Sequence, residues 1–137
     1  IGIKDSAGDM DAFRQLVKLK EKRPDFSVLQ GAENLAVDAL ISGADGIVPG
    51  LGNIVPDAFA TLVQDVRANR HEIARAHQSK LTSLGQLHGH DYWLKCLKYA
   101  ASLLGFGSGR TIAHCDDLSE NTQEAIRKHL NDFGLTF

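Results

Sequence analysis

The feature that most restricts what this chain can fold into is a rhythm in its first 70 residues, where a short apolar run and a helix-length segment alternate three times. The runs are Ile1 to Asp5, Phe26 to Gln30 and Gly46 to Val48, each too brief for a helix and bounded by Gly, Pro or Asp. Asp9 is placed to cap a helix from Met10 to Lys22, in which Phe13, Leu16, Val17 and Lys20 follow helical spacing and Pro24 marks the stop. A second helix, Glu33 to Ser42, carries Leu35, Leu40 and Ile41 and ends at Gly43, where a C-terminal cap glycine belongs. After Val48 come Pro49 and a glycine-rich turn through Asn53; Pro56 then suits the first turn of a helix reaching Asn69. Strands separated by helices lie parallel, because parallel neighbours need crossover connections. The expectation is an α/β fold built on a parallel sheet.

Beyond Arg70 the rhythm stops. Three helical stretches follow, His71 to Leu84, Asp91 to Leu104 and Thr122 to Phe133, the last announced by Asn121 with Glu124 as a capping box. The sequence thus divides into a β/α part, residues 1–70, and a helical part, residues 71–137. Trp93, Leu94, Leu97, Ala101 and Leu104 read as a packing stripe, with Lys95 and Lys98 flanking it on the solvated side.

Composition removes several classes of function. With 137 residues, 43% of them hydrophobic, the chain can bury a real core. Its 15 basic and 17 acidic residues are dispersed and sum to −2, which leaves no basic footprint for nucleic acid or an anionic membrane. No apolar run approaches the ~20 residues of a membrane helix. Two cysteines, Cys96 and Cys115, are too few for a disulfide framework and fit a reducing, cytoplasmic setting.

Lys4 stands out within the first run. A period of two puts Ile1 and Ile3 on one face of a strand and Gly2 and Lys4 on the other, so the lysine shares its face with a residue that has no side chain. Three ordered motifs, Gly2-Ile3-Lys4-Asp5-Ser6-Ala7-Gly8-Asp9, Leu29-Gln30-Gly31-Ala32-Glu33 and Gly43-Ala44-Asp45-Gly46-Ile47-Val48-Pro49 with Asn53, resemble consecutive segments of the dihydrodipicolinate synthase and N-acetylneuraminate lyase family. The resemblance covers essentially the whole chain but only the second half of a family member. It implies the C-terminal part of a (β/α)8 barrel, strands six to eight with their helices, followed by a C-terminal helical extension. It also implies a lyase that forms a Schiff base between a strand-six lysine, here Lys4, and pyruvate or another 2-keto acid.

By the same resemblance, Gly31 and Val48 lie at the barrel mouth against the keto acid, and Glu33 and Asn53 line the rim. A lysine among apolar walls suits this chemistry, because desolvation disfavours the ammonium form and leaves a better nucleophile. No cofactor is implied, whether metal, nucleotide or flavin: the imine itself is the electron sink. The family is commonly homotetrameric, so the expected partners are a small 2-keto acid, further copies of the chain or a complementary N-terminal half.

Two departures bear on these expectations. Pro49 and Gly50 stand where dihydrodipicolinate synthases usually carry Ser and Val, which favours a relative acting on another 2-keto acid, such as a 2-keto-3-deoxy sugar acid aldolase or a sialic acid lyase. The family's proton-relay tyrosine and carboxylate-binding segment have no match here; Tyr92 and Tyr99 lie in the helical part. Such a barrel needs roughly 200 residues or more, so this chain alone is expected to be inactive or very weak. The other class of function is a non-catalytic remnant or interaction module that keeps the fold.

The remaining motifs read as structure. Gly50-Leu51-Gly52 is a tight turn rather than a phosphate cradle, because no dinucleotide fingerprint accompanies it. Gly105 to Gly109 is a loop, and His88 with His90, or His114 beside Cys115 and Asp116, lacks the further fixed ligands of a zinc site.

Overall fold

The computed structural model describes residues 1–112 and 117–137; His114, Cys115 and Asp116 therefore lie outside the described residues. The described chain forms two compact units, residues 1–81 and 82–137.

The first unit contains three strands, β1 Gly2–Asp5, β2 Ser27–Gln30 and β3 Gly46–Ile47, in one sheet of order β1-β2-β3. Both pairings are parallel, with Lys4 opposite Leu29, Asp5 opposite Gln30, Leu29 opposite Gly46 and Gln30 opposite Ile47. Helix α1, Met10–Lys18, starts as the sequence predicts: the Asp9 carboxylate accepts the Asp11 and Ala12 amides at 2.9 and 3.0 Å. Its last predicted turn is a 3-10 segment, Leu19–Glu21, ahead of Pro24. Helix α2 is shorter than predicted, Ala36–Ile41, because residues Glu33–Leu35 form a 3-10 turn before it. Gly43, at φ 102°, supplies the left-handed residue that ends it. Helix α3, Pro56–Arg67, follows a 3-10 turn at Leu51–Asn53.

The helix α4, His71–Gly85, begins in this unit and is tied to α3 through Asp65, a buried carboxylate. Arg70 reaches one Asp65 oxygen at 2.6 Å, and His77 Nδ1 lies 2.9 Å from the other. A buried charge without such partners would be costly.

Packing separates the two sheet faces. Val28 joins Phe13 of α1 and Ala39 of α2 in a fully buried cluster, with Leu16, Val17 and Phe26 against it. Paired residues in neighbouring strands point the same way, and residues one apart point oppositely. Val28, Gln30 and Ile47 therefore face the helices, while Lys4, Leu29 and Gly46 form a row on the other face. That second face is open: Lys4 is exposed, Leu29 is half-buried, and Val48 just beyond β3 is 42% exposed.

The second unit is helical. Helix α5, Trp93–Leu103, packs with the 3-10 turn Gln86–Gly89 and with α6, Glu120–Phe133. Three expectations are corrected here. The buried stripe of α5 is Cys96, Leu97 and Ala100, rotated from the predicted one so that Trp93 is 48% exposed. Lys95 is not on a solvated flank: its side chain is only 11% exposed and pairs with Asp91 at 2.9 Å. Helix α6 also starts earlier than Thr122, since the Ser119 hydroxyl, not Asn121, accepts the Thr122 amide at 3.2 Å. No described helix is long and apolar enough to cross a membrane.

Candidate active site

The first motif divides its labour residue by residue. Gly2 lets β1 approach β2 closely, because a Cβ there would strike the Ser27 carbonyl. Asp5 turns its carboxylate to the Ala7 amide at 2.9 Å, and Gly8 at φ 78° takes the left-handed step into the Asp9 cap. Lys4 carries the one amine of the stretch. It sits next to the C-terminal residue of a parallel strand, on the open face.

Gly31 lies beside it. The Gly31 amide continues the ladder to the Asp5 carbonyl at 2.7 Å, and a Cβ at this position would collide with Lys4 Cε and Ser6 Oγ. The missing side chain is what leaves room for the lysine stem. Val48 is placed on the same side by its amide, which donates to the Gln30 carbonyl at 2.8 Å. Lys4, Gly31 and Val48 therefore gather at the C-terminal ends of three adjacent strands. Ser6, Leu29 and Gly46 also belong to this surface; the sequence reading passed over them because pairing register is needed to see them.

Glu33 and Asn53 are both engaged with backbone. The half-buried Glu33 carboxylate accepts the Leu51 amide at 2.6 Å. Burial pushes its carboxyl above the ordinary range, against the pull of the Leu51 and Gly50 amides and of the Lys4 charge. Asn53 Nδ2 donates to the Gly50 carbonyl at 2.8 Å, closing the 3-10 turn on itself. Both side chains shape the loop after β3.

Among the described residues, no group of three or more His, Cys, Asp or Glu side chains is placed to hold a metal. His90 Nε2 instead meets His129 Nε2 at 2.9 Å, and His88 packs edge-on against Trp93.

The model of the "Dihydrodipicolinate synthetase family" matches residues 1–132. The chain belongs to that family. Its relatives include the 4-hydroxy-tetrahydrodipicolinate synthase of Kosmotoga olearia, 29% identical over 136 residues that cover 98% of this chain and 46% of the relative. Among solved structures, the dihydrodipicolinate synthase of Thermotoga maritima superposes with a TM-score of 0.91 at 28% identity, covering 99% of this chain and 46% of that one. A prophage protein of the dihydrodipicolinic acid synthase family from E. coli K12, solved in complex with pyruvate, gives 0.90 at 24% identity, covering 99% and 47%. This family member spans about half the length of the curated relatives it matches. The parallel sheet, its helices and the family's fold agree with the α/β expectation.

Proposed function

We propose that Lys4 is the Schiff-base lysine of a class I lyase or aldolase acting on pyruvate or another 2-keto acid. In this reading β1, β2 and β3 are strands six to eight of a (β/α)8 barrel in residues 1–70, residues 71–137 are its helical extension, and the setting is cytoplasmic. The observation that carries it is the juxtaposition of Lys4 with Gly31: an amine-bearing side chain on the open sheet face, at the strand ends where barrels of this kind keep their sites, over a position kept free of a side chain. Family membership and a relative solved with pyruvate support the substrate class.

The chemistry follows from the amine. Neutral Lys4 Nζ adds to the C2 carbonyl, the resulting hydroxyl takes up a proton from solvent and leaves as water, and the protonated imine so formed withdraws electrons from C3. The enamine then forms either when C3 gives up a proton or when the C3–C4 bond of a 4-hydroxy-2-keto acid breaks, its pair moving toward the imine while the 4-hydroxyl loses its proton to solvent and the fragment departs as an aldehyde. Gly31 and Val48 form the floor beneath the keto acid, while Glu33 and Asn53 act on it by shaping the loop. The open face must be covered for the amine to be desolvated, so the 137-residue chain by itself is expected to be inactive.

Borohydride reduction in the presence of pyruvate tests the assignment in the complete barrel. The expected result is one reduced adduct on the peptide that contains Lys4, absent from a Lys4→Ala variant. An adduct on any other lysine overturns it.

A further inference from the structure

We propose that Glu33 is a positioning residue whose carboxylate clasps the loop after β3 to the loop after β2, and so holds Val48 in register with Lys4 and Gly31. The inference rests on the reading of Lys4 as the reactive amine, and gives Glu33 a task other than contact with substrate.

The clasp is anchored at both ends. On one side, α4 fixes the Glu33 backbone: Gln78 Nε2 donates to the Glu33 carbonyl at 2.8 Å, and Gln78 Oε1 accepts the Val37 amide at 3.2 Å. One glutamine thus pins the turn that carries Glu33 to the helix that follows it. On the other side, the Glu33 carboxylate takes the Leu51 amide at 2.6 Å. Leu51 is fully buried and opens the 3-10 turn Leu51–Asn53, whose first amides have no partner within the turn itself. A charged acceptor is the strong choice for such donors, and a half-buried carboxylate needs them in return. Pro49 and Gly50 separate Val48 from the clasped amide, so the fixed Leu51 sets the path of the chain away from β3. Residues 18 apart in sequence are joined here, across the exits of two adjacent strands.

Among the described residues, the charged group that acts on Glu33 from β1 is Lys4, and from the loop after β3 the Leu51 and Gly50 amides act on it. Protonating Glu33 leaves a weaker acceptor. The Leu51 amide should therefore report Glu33 titration directly.

Hydrogen exchange and the NMR shift of the Leu51 amide, measured on the complete barrel, test this in Glu33→Gln and Glu33→Ala. Glu33→Ala should lower Leu51 protection by roughly tenfold or more, the loss expected for a hydrogen bond to a charged group. Glu33→Gln keeps a carbonyl acceptor and should stay within about threefold of the native protection while abolishing the pH-dependent shift at Leu51. Pyruvate trapping at Lys4 should follow the same order, with Glu33→Ala slower than Glu33→Gln. The proposal is overturned if Leu51 protection is unchanged in Glu33→Ala, or if both variants weaken only the pyruvate-concentration dependence, the signature of direct substrate contact. Should native protein fail to trap pyruvate at Lys4, the functional reading falls, while exchange at Leu51 still decides the clasp.

Discussion

The two faces of one small sheet could hardly differ more. On the helix side, Val28 and Phe13 are fully buried and pack with Ala39 as an ordinary core. On the opposite side, one residue along the same strands, Lys4 is exposed, Leu29 is half-buried, and two positions are glycine. Strand periodicity thus puts packing on one set of alternating residues and, in the proposed reading, chemistry on the other. The open face carries groups whose value lies in what they meet rather than in what they fill.

That contrast can be broken or sharpened by substitution, starting with the core. Phe13→Ala should cost about 3–5 kcal/mol, the range for removing a buried aromatic, whereas Lys4→Ala should stay within about 0.5 kcal/mol. Urea unfolding monitored by circular dichroism compares the two; equal losses would erase the distinction between the faces. Gly31→Ala separates stability from chemistry. Its new methyl meets Lys4 Cε and Ser6 Oγ, both on side chains that can swing aside, so folding should survive. The displaced amine should trap pyruvate at least about tenfold more slowly in the complete barrel, since small misplacements of a reacting group carry large rate costs.

Smaller effects belong to the supports. Asp9→Ala removes the α1 cap and should lower stability by about 1 kcal/mol, readable as a shift in the urea midpoint. Asp45 is held below the usual carboxylate range, chiefly by Lys20 at 2.6 Å and then by the Val28 amide at 2.8 Å. A depressed carboxylate stabilises the fold above its ordinary range and loses that effect as pH falls through its folded value. Asp45→Asn should therefore flatten the acid limb of the stability profile, by no more than about 1 kcal/mol because the pair is partly solvated.

How far these features could be read from the sequence depends on how local they are. Asp9, Gly43 and Pro56 act on amides or dihedral angles within a turn of their own position, and each was legible. The place of Lys4 on the strand face away from Ile3 was legible as well, through alternation, and the motif that holds it resembles a family to which the chain does belong. Locality has limits even at a helix end. Ser119 and Asn121 can each accept an amide, and only the observed backbone shows that Ser119 is the cap that takes the Thr122 amide. The rotated stripe of α5 follows from the 3-10 turn and α6 that it packs against, which no single-helix pattern contains. The link from Glu33 to Leu51 and the meeting of His90 with His129 join distant residues through tertiary geometry, so neither left a signal in spacing.

The central claim is that the amine on the open face condenses with a keto acid once the rest of a barrel covers it. The most direct measurement is the rate of pyruvate-dependent borohydride labelling at Lys4, taken on the 137-residue chain alone and again with a polypeptide that supplies the first half of a family barrel. Labelling of Lys4 that appears only with the covering half is the predicted result. Efficient labelling of the chain by itself, or an adduct on another lysine in the covered state, would contradict the account.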